Sequence, residues 1–225
     1  MHVELSKLPM DTFKDLAKHY LMIVLGILTA LGLEAWIEHL HHRHAAQIAS
    51  VQIEAEIREN KLEIEKARDK DLARMHVFEK VRDGLINDIK SNATNATIIQ
   101  HVHELIPDGL SLSWHWPSLR HEAWDVAVAN QSAGWIDSDN LHRYTTVYSA
   151  QNFHGAMANA DIQIALDGPR MIDADIDLQT GEIQPRQLLH VVNQMWALTG
   201  ETTGNLDRLD KAIDEAMSNR AIASR

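Results

Sequence analysis

Histidines are the residues that first invite a chemical reading. His39, His41, His42 and His44 crowd within six positions of EHLHHRHAAQ. His39 and His42 lie three apart, as do His41 and His44, so on a helix each pair can share a face. Two neutral imidazoles at that spacing can hold zinc, nickel or copper when a third and fourth ligand arrive from elsewhere. Glu38 or a second copy of the chain could supply them. The competing reading is a polar collar whose charge follows pH. That is the one we carry, and we expect neither a cofactor nor a resident metal.

Other patterns fall short of a reaction. His121-Glu122-Ala-Trp-Asp125 approaches the zinc-protease HExxH, but its fifth residue is Asp. Asp173, Asp175 and Asp177 alternate like the opening of a calcium loop. The sixth position is Leu178 rather than Gly, and no Glu closes the loop near Gln184 and Pro185. We therefore read a small hairpin or ordered loop turning at Thr180-Gly181. The chain has no cysteine, which excludes disulfides, thiolate catalysis and Cys-ligated metal. Four of the six tryptophans fall between Trp114 and Trp135. With Tyr144 and Tyr148, residues Trp114, Trp116, Trp124 and Trp135 form either the aromatic core of an outer domain or the lining of a ligand cleft. No catalytic set emerges, and we expect no enzyme.

What must position these groups begins at Tyr20–Leu33, fourteen residues without a charge or a proline. A bilayer needs about 20 residues of helix, and the flanks supply them. From Leu16 to Leu40 the chain can cross, with Lys18 and His19 snorkelling at one end and Tyr20 and Trp36 at interfacial positions. Gly26, Ala30 and Gly32 offer small surfaces for helix contact in lipid. Glu34 lies about one turn inside the far edge, where a carboxylate needs a partner, a proton or water. A buried helix of a soluble protein, a cleaved signal peptide ending near Ala30-Leu31-Gly32, and a helix lying in the interface compete with the span. Lys7, Lys14 and Lys18 precede it and only Arg43 follows closely, a bias that expects a cytoplasmic N-terminus. Formal net charge is −11, which argues against nucleic acid and against an anionic lipid surface as the main partner of the domain.

Residues 1–15 read as a lead and 16–40 as the transmembrane helix. Residues 41–92 read as a long coiled-coil-like helix continuing it. Ala46, Ile53, Asn60, Ala67, Arg74 and Val81 fill one heptad position; Ser50, Ile57, Ile64, Asp71, Phe78 and Leu85 fill another. Ile48, Val51, Ala55 and Leu62 lie beside that seam and are expected to widen it, and Asn60 could pin register. Gly84 and SNATNAT weaken or end the rod. Residues 93–225 form a helical bundle. A short helix over 97–105 precedes the Pro107-Asp108-Gly109 turn. A helix runs from Pro117 to about Gln131, with Ser132-Ala133-Gly134 as its C-cap. Asp137 or Ser138 caps a long helix over about 140–166. The chain closes with helix 186–222, whose seam Leu188, Val192, Met195, Thr199, Thr202, Leu206, Leu209, Ile213 and Ala216 suits it as the antiparallel partner of 46–85.

The segment PSLRHEAWDVAVANQSAGWIDSDNLHRYTTVYSAQ carries W-x-x-A (Trp124, Ala127), followed by G-x-I-x-x-x-x-L-x-x-Y (Gly134 to Tyr144). In this it resembles small, uncharacterised single-span inner-membrane proteins of Gram-negative bacteria. Those chains also place a span ending in an acid, here Leu33-Glu34, before a helix rich in Glu, Leu and Asn, here 53–64. The resemblance covers most of the chain and implies architecture and location, with no established activity to carry over. The expectation is an all-α protein: one transmembrane helix running into a rod, with an extramembrane bundle. Its partners would be the lipid bilayer and either copies of itself or a larger membrane complex.

Overall fold

The computed structural model describes residues 10–110, 116–165 and 168–218, without the side chains of 10–13, 15 and 161–165. The described residues contain six α-helices and one 3-10 turn, and no strand. They are α1 (Met10–Lys90), α2 (Asn95–Leu105), α3 (Glu122–Ala129), the 3-10 turn Ser132–Trp135, α4 (Ser138–Ala165), α5 (Gly168–Thr180) and α6 (Pro185–Ser218).

One helix of 81 residues, about 120 Å long, runs through the apolar segment and the rod. No proline interrupts it, and its three glycines, each costing about 1 kcal/mol against alanine, do not break it. The helix passes Gly84 and stops at Asn92, which takes a left-handed conformation (φ +53°). The Ala93 N–H then reaches back to the Asp88 carbonyl, and the Asn92 N–H to that of Ile89, the Schellman closure. Two residues on, Thr94 caps α2 by accepting from the Thr97 N–H. The Asn-Ala-Thr repeat is thus one stop and one start.

α6 lies antiparallel on α1, as its seam predicts. Lys61 pairs with Asp210 and Asp214, Arg68 with Asp207, and the Arg82 guanidinium sits 4.2 Å over the Trp196 ring. Every seam residue of α6 is buried. Ten of the twelve heptad positions of α1 are buried, and Ser50 and Arg74 are half-buried.

The core divides into two stories. The proximal one, nearer the apolar segment of α1, joins Ala46, Ile53, Ile57 and Ile64 to Tyr144, Val147 and Tyr148 of α4 and to Leu206, Leu209 and Ile213 of α6. The distal one joins Phe78, Val81 and Leu85 to Ile98 and Val102 of α2, Met171 and Leu178 of α5, and Leu188 to Met195 of α6. Buried polar side chains separate them: Asp71, Gln151, His154, Thr199, Thr202, Thr203 and Asn205. The three threonines satisfy their hydroxyls on carbonyls one turn back.

Four local expectations are corrected. Ile48, Val51 and Leu62 do not widen the seam: Val51 is 60% and Leu62 54% exposed, because α6 and α4 cover only the opposite face of α1. No helix starts at Pro117: residues 116–120 are irregular, and α3 begins at Glu122. The left-handed residue after α3 is Gln131 (φ +64°), so Ser132-Ala133-Gly134 is a 3-10 turn rather than a cap. The aspartate-rich stretch forms no hairpin but the helix α5. Its alternation of Asp and apolar residues hides a stripe, Met171, Ala174 and Leu178, that faces the core. Gly181 (φ +82°) ends α5 by the same Schellman closure, Glu182 N–H to Asp177 carbonyl at 3.0 Å.

Candidate functional site

The polar side chains with the most determinate geometry lie where residues 116–148 cross the rod. Glu56 and Asn60 are one turn apart on the core face of α1 and both are buried. The Tyr148 hydroxyl donates to Glu56 Oε1 at 2.6 Å, and the Ala123 N–H donates to Oε2 at 2.9 Å. Asn60 treats Arg120 as a strand would: its Oδ1 accepts from the Arg120 N–H at 2.8 Å, and its Nδ2 donates to the carbonyl at 2.6 Å. This pairing fastens the Arg120 backbone to the rod, just before α3 begins at Glu122. Two residues nearer the apolar segment than Glu56, Glu54 Oε1 accepts from the Tyr144 hydroxyl at 3.0 Å.

Burial, with Glu54 adding to it, pushes the Tyr144 phenol up to about 12, and burial beside Glu56 pushes Tyr148 up as well. Both tyrosines therefore stay protonated donors at neutral pH. The arrangement clamps one segment onto one register of the rod. Nearby, Asp137 caps α4 through the Asn140 N–H at 3.0 Å, a bond that holds its carboxyl below the usual range.

The aromatic candidates separate. Trp114 lies outside the described residues. Trp116 and Trp124 pack partly buried against the proximal core, and Trp124 stacks on Tyr148 with centroids 5.4 Å apart. Tyr144 and Tyr148 are buried. Trp135 is 50% exposed and lies flat on His42, centroids 4.0 Å apart and planes 7° apart. Trp135 and Tyr144 share an open groove of about 430 Å³ with Arg43, Val51, Glu54 and Asp137. A second groove, about 550 Å³, runs beside the clamp and is lined by Gln52, Ala55, Glu59, Arg120 and Val126.

Of the histidine collar, His39, His41 and His44 are exposed. His42 Nε2 lies 3.5 Å from Glu38 Oε1. Among the described residues no three His, Asp or Glu side chains gather as a metal-holding group. Gly26, Ala30, Gly32 and Glu34 are all exposed, and both glycines face open space. Sequence reasoning passed over Glu56 and His154, although spacing could have found both. Glu56 falls within the stripe 53, 57, 60, 64. His154 continues the stripe 144, 147, 148, 151.

Comparison of the chain with protein-family models, with curated proteins and with solved structures finds no match.

Proposed function

We propose that this chain is a membrane-anchored, non-enzymatic scaffold or accessory subunit. It assembles through its span and rod, as a homo-oligomer or within a larger membrane complex. One observation carries the reading. The same helix is core over 46–85 and has no buried residue over 16–40, where Leu21, Ile23, Leu25, Leu28 and Leu31 are all more than half exposed. An apolar helix long enough to cross a membrane, with none of its apolar window buried, needs lipid or another helix around it. The lysine bias would place the N-terminus in the cytoplasm and the bundle in the periplasm of a Gram-negative inner membrane, in keeping with the resemblance. Gly26, Ala30 and Gly32 would let a second helix approach closely, and Glu34 would face that partner or water. The buried clamp supports a holding role, since each of its groups is engaged by another part of the same chain.

The test is native mass measurement after extraction in mild detergent. A defined oligomer or a stoichiometric companion is expected, and Gly32→Ile is expected to reduce the assembled fraction. Recovery of the intact chain in the aqueous fraction without detergent, or a lone monomer under all mild conditions, overturns the reading.

A further inference from the structure

We propose that Trp135 seats the membrane-proximal end of the folded domain in the phospholipid headgroup layer. This rests on the reading of 16–40 as a span and goes beyond it, because a span alone leaves the domain free to stand off the membrane. The middle of Leu16–Leu40 is Leu28. His42 lies fourteen residues further along the same continuous helix, an axial rise of about 21 Å. The headgroup layer occupies roughly 15 to 22 Å from the bilayer middle. Side chains on a helix lean toward its N-terminus, so the His42 ring reaches back toward the lipid. The flat stack fixes the Trp135 indole at that ring. Its position is held from both sides, since Ala133 and Ile136 are buried in the proximal core.

Half of Trp135 nevertheless stays uncovered, in a domain that buries or half-buries its other described tryptophans. An indole with an apolar body and one N–H is the side chain best suited to the headgroup boundary. The charge pattern fits. Arg43 is the one lysine or arginine between Lys18 and Arg58. It follows His42 directly and lines the same groove as Trp135, beside Glu54 and Asp137, a mixed-charge lining that suits a zwitterionic headgroup. Trp36 and Trp135 then form two levels of one interfacial belt, the first from the span and the second from the folded domain.

The test uses the full chain in phosphatidylcholine vesicles, with nitroxide placed either on the lipid headgroup or deep in the acyl chain. Subtracting the emission of W135F or W36F from the parent isolates each tryptophan. The Trp135 component is expected to be quenched by the headgroup nitroxide, shielded from acrylamide and lost in W135F. Trp36 quenched by lipid while Trp135 answers only to acrylamide overturns the proposal and leaves the span standing; an exposed protein-docking surface would give that result. Neither component quenched by lipid overturns the span and the proposal together. A second measurement does not depend on removing Trp135. The chain has no cysteine, and a Cβ on Gly134 would meet nothing within 4 Å. A spin label on G134C should therefore be less accessible to a water-soluble nickel chelate than one on E182C at the distal end. Equal access overturns the proposal.

Discussion

The two stories of the bundle share α1 and α6 but are held by different means. In the proximal story the links beyond simple packing join residues far apart in sequence: Tyr148 to Glu56, Tyr144 to Glu54, Arg120 to Asn60. Each involves a buried or half-buried polar group that loses its partner if the segment slips by one residue. In the distal story the core is aliphatic with Met and Phe. Its polar links each reach toward the surface, as in buried Asp88 to exposed His101 and the half-buried Leu110 N–H to Asp175 at 2.8 Å. Apolar packing tolerates adjustment, whereas a satisfied buried hydrogen bond specifies one arrangement. The story nearer the apolar segment is thus the one whose geometry is more tightly fixed.

Cavities should break this comparison most strongly. Leu206 is fully buried in the proximal core and Leu85 nearly so in the distal one. Truncation of either to alanine is expected to cost about 2–5 kcal/mol. Hydrogen exchange should separate them. L85A is expected to expose amides of α2 and α5 while 46–67 and 138–150 stay protected; L206A is expected to loosen both stories, since α6 leaves the distal core when its proximal half lets go. Uniform loss of protection in L85A would show one indivisible core.

Next in size are the buried hydrogen bonds. Tyr148→Phe leaves a buried carboxylate short of one donor and is expected to cost about 1–3 kcal/mol, read by urea melts. The Glu56→Gln and Tyr148→Phe double-mutant cycle should show coupling. Asp88→Asn, where the partner His101 is exposed and the amide can still hydrogen-bond, is expected to cost less than about 1 kcal/mol. Equal losses in the two stories would remove the distinction.

Much of this plan was legible in the sequence where one period persisted. The α6 seam and the twelve heptad positions of α1 are long enough for spacing to outweigh local ambiguity, so the main helix pair and its direction followed. Failures came where a partner outside the window decided the outcome. Ile48, Val51 and Leu62 share the apolar character of the seam, and only the placement of α4 and α6 shows that they face away. Nothing local to Pro117 reveals that Asn60, 57 residues earlier, binds the Arg120 backbone just after it. In α5 the aspartates imposed a period of two on a helix whose apolar stripe is only three residues long. The aromatic cluster was visible as a cluster; its division into core residues and one outward indole depends on α4 lying along α1.

The smallest expected effect belongs to the polar layer between the stories and sets its response to acid. His154 is buried between α4 and α6, and burial, with the Arg208 charge nearby, holds it below the ordinary histidine range. The folded state keeps this ring neutral, while the unfolded chain protonates it near pH 6.5. Below that pH the unfolded state binds more protons. Stability that is fully present above pH 6.5 is therefore lost as pH falls through the lower folded value. His121 works in the opposite sense, its pKa raised by its hydrogen bond to Asp125. Both members of that pair are exposed, so solvent screens the effect. Thermal melts from pH 7.5 to 5 should show the parent losing more stability than His154→Gln, which cannot be protonated. Parallel curves for the two proteins would mean that the layer between the stories takes up no proton there, and that acid acts on the two stories elsewhere.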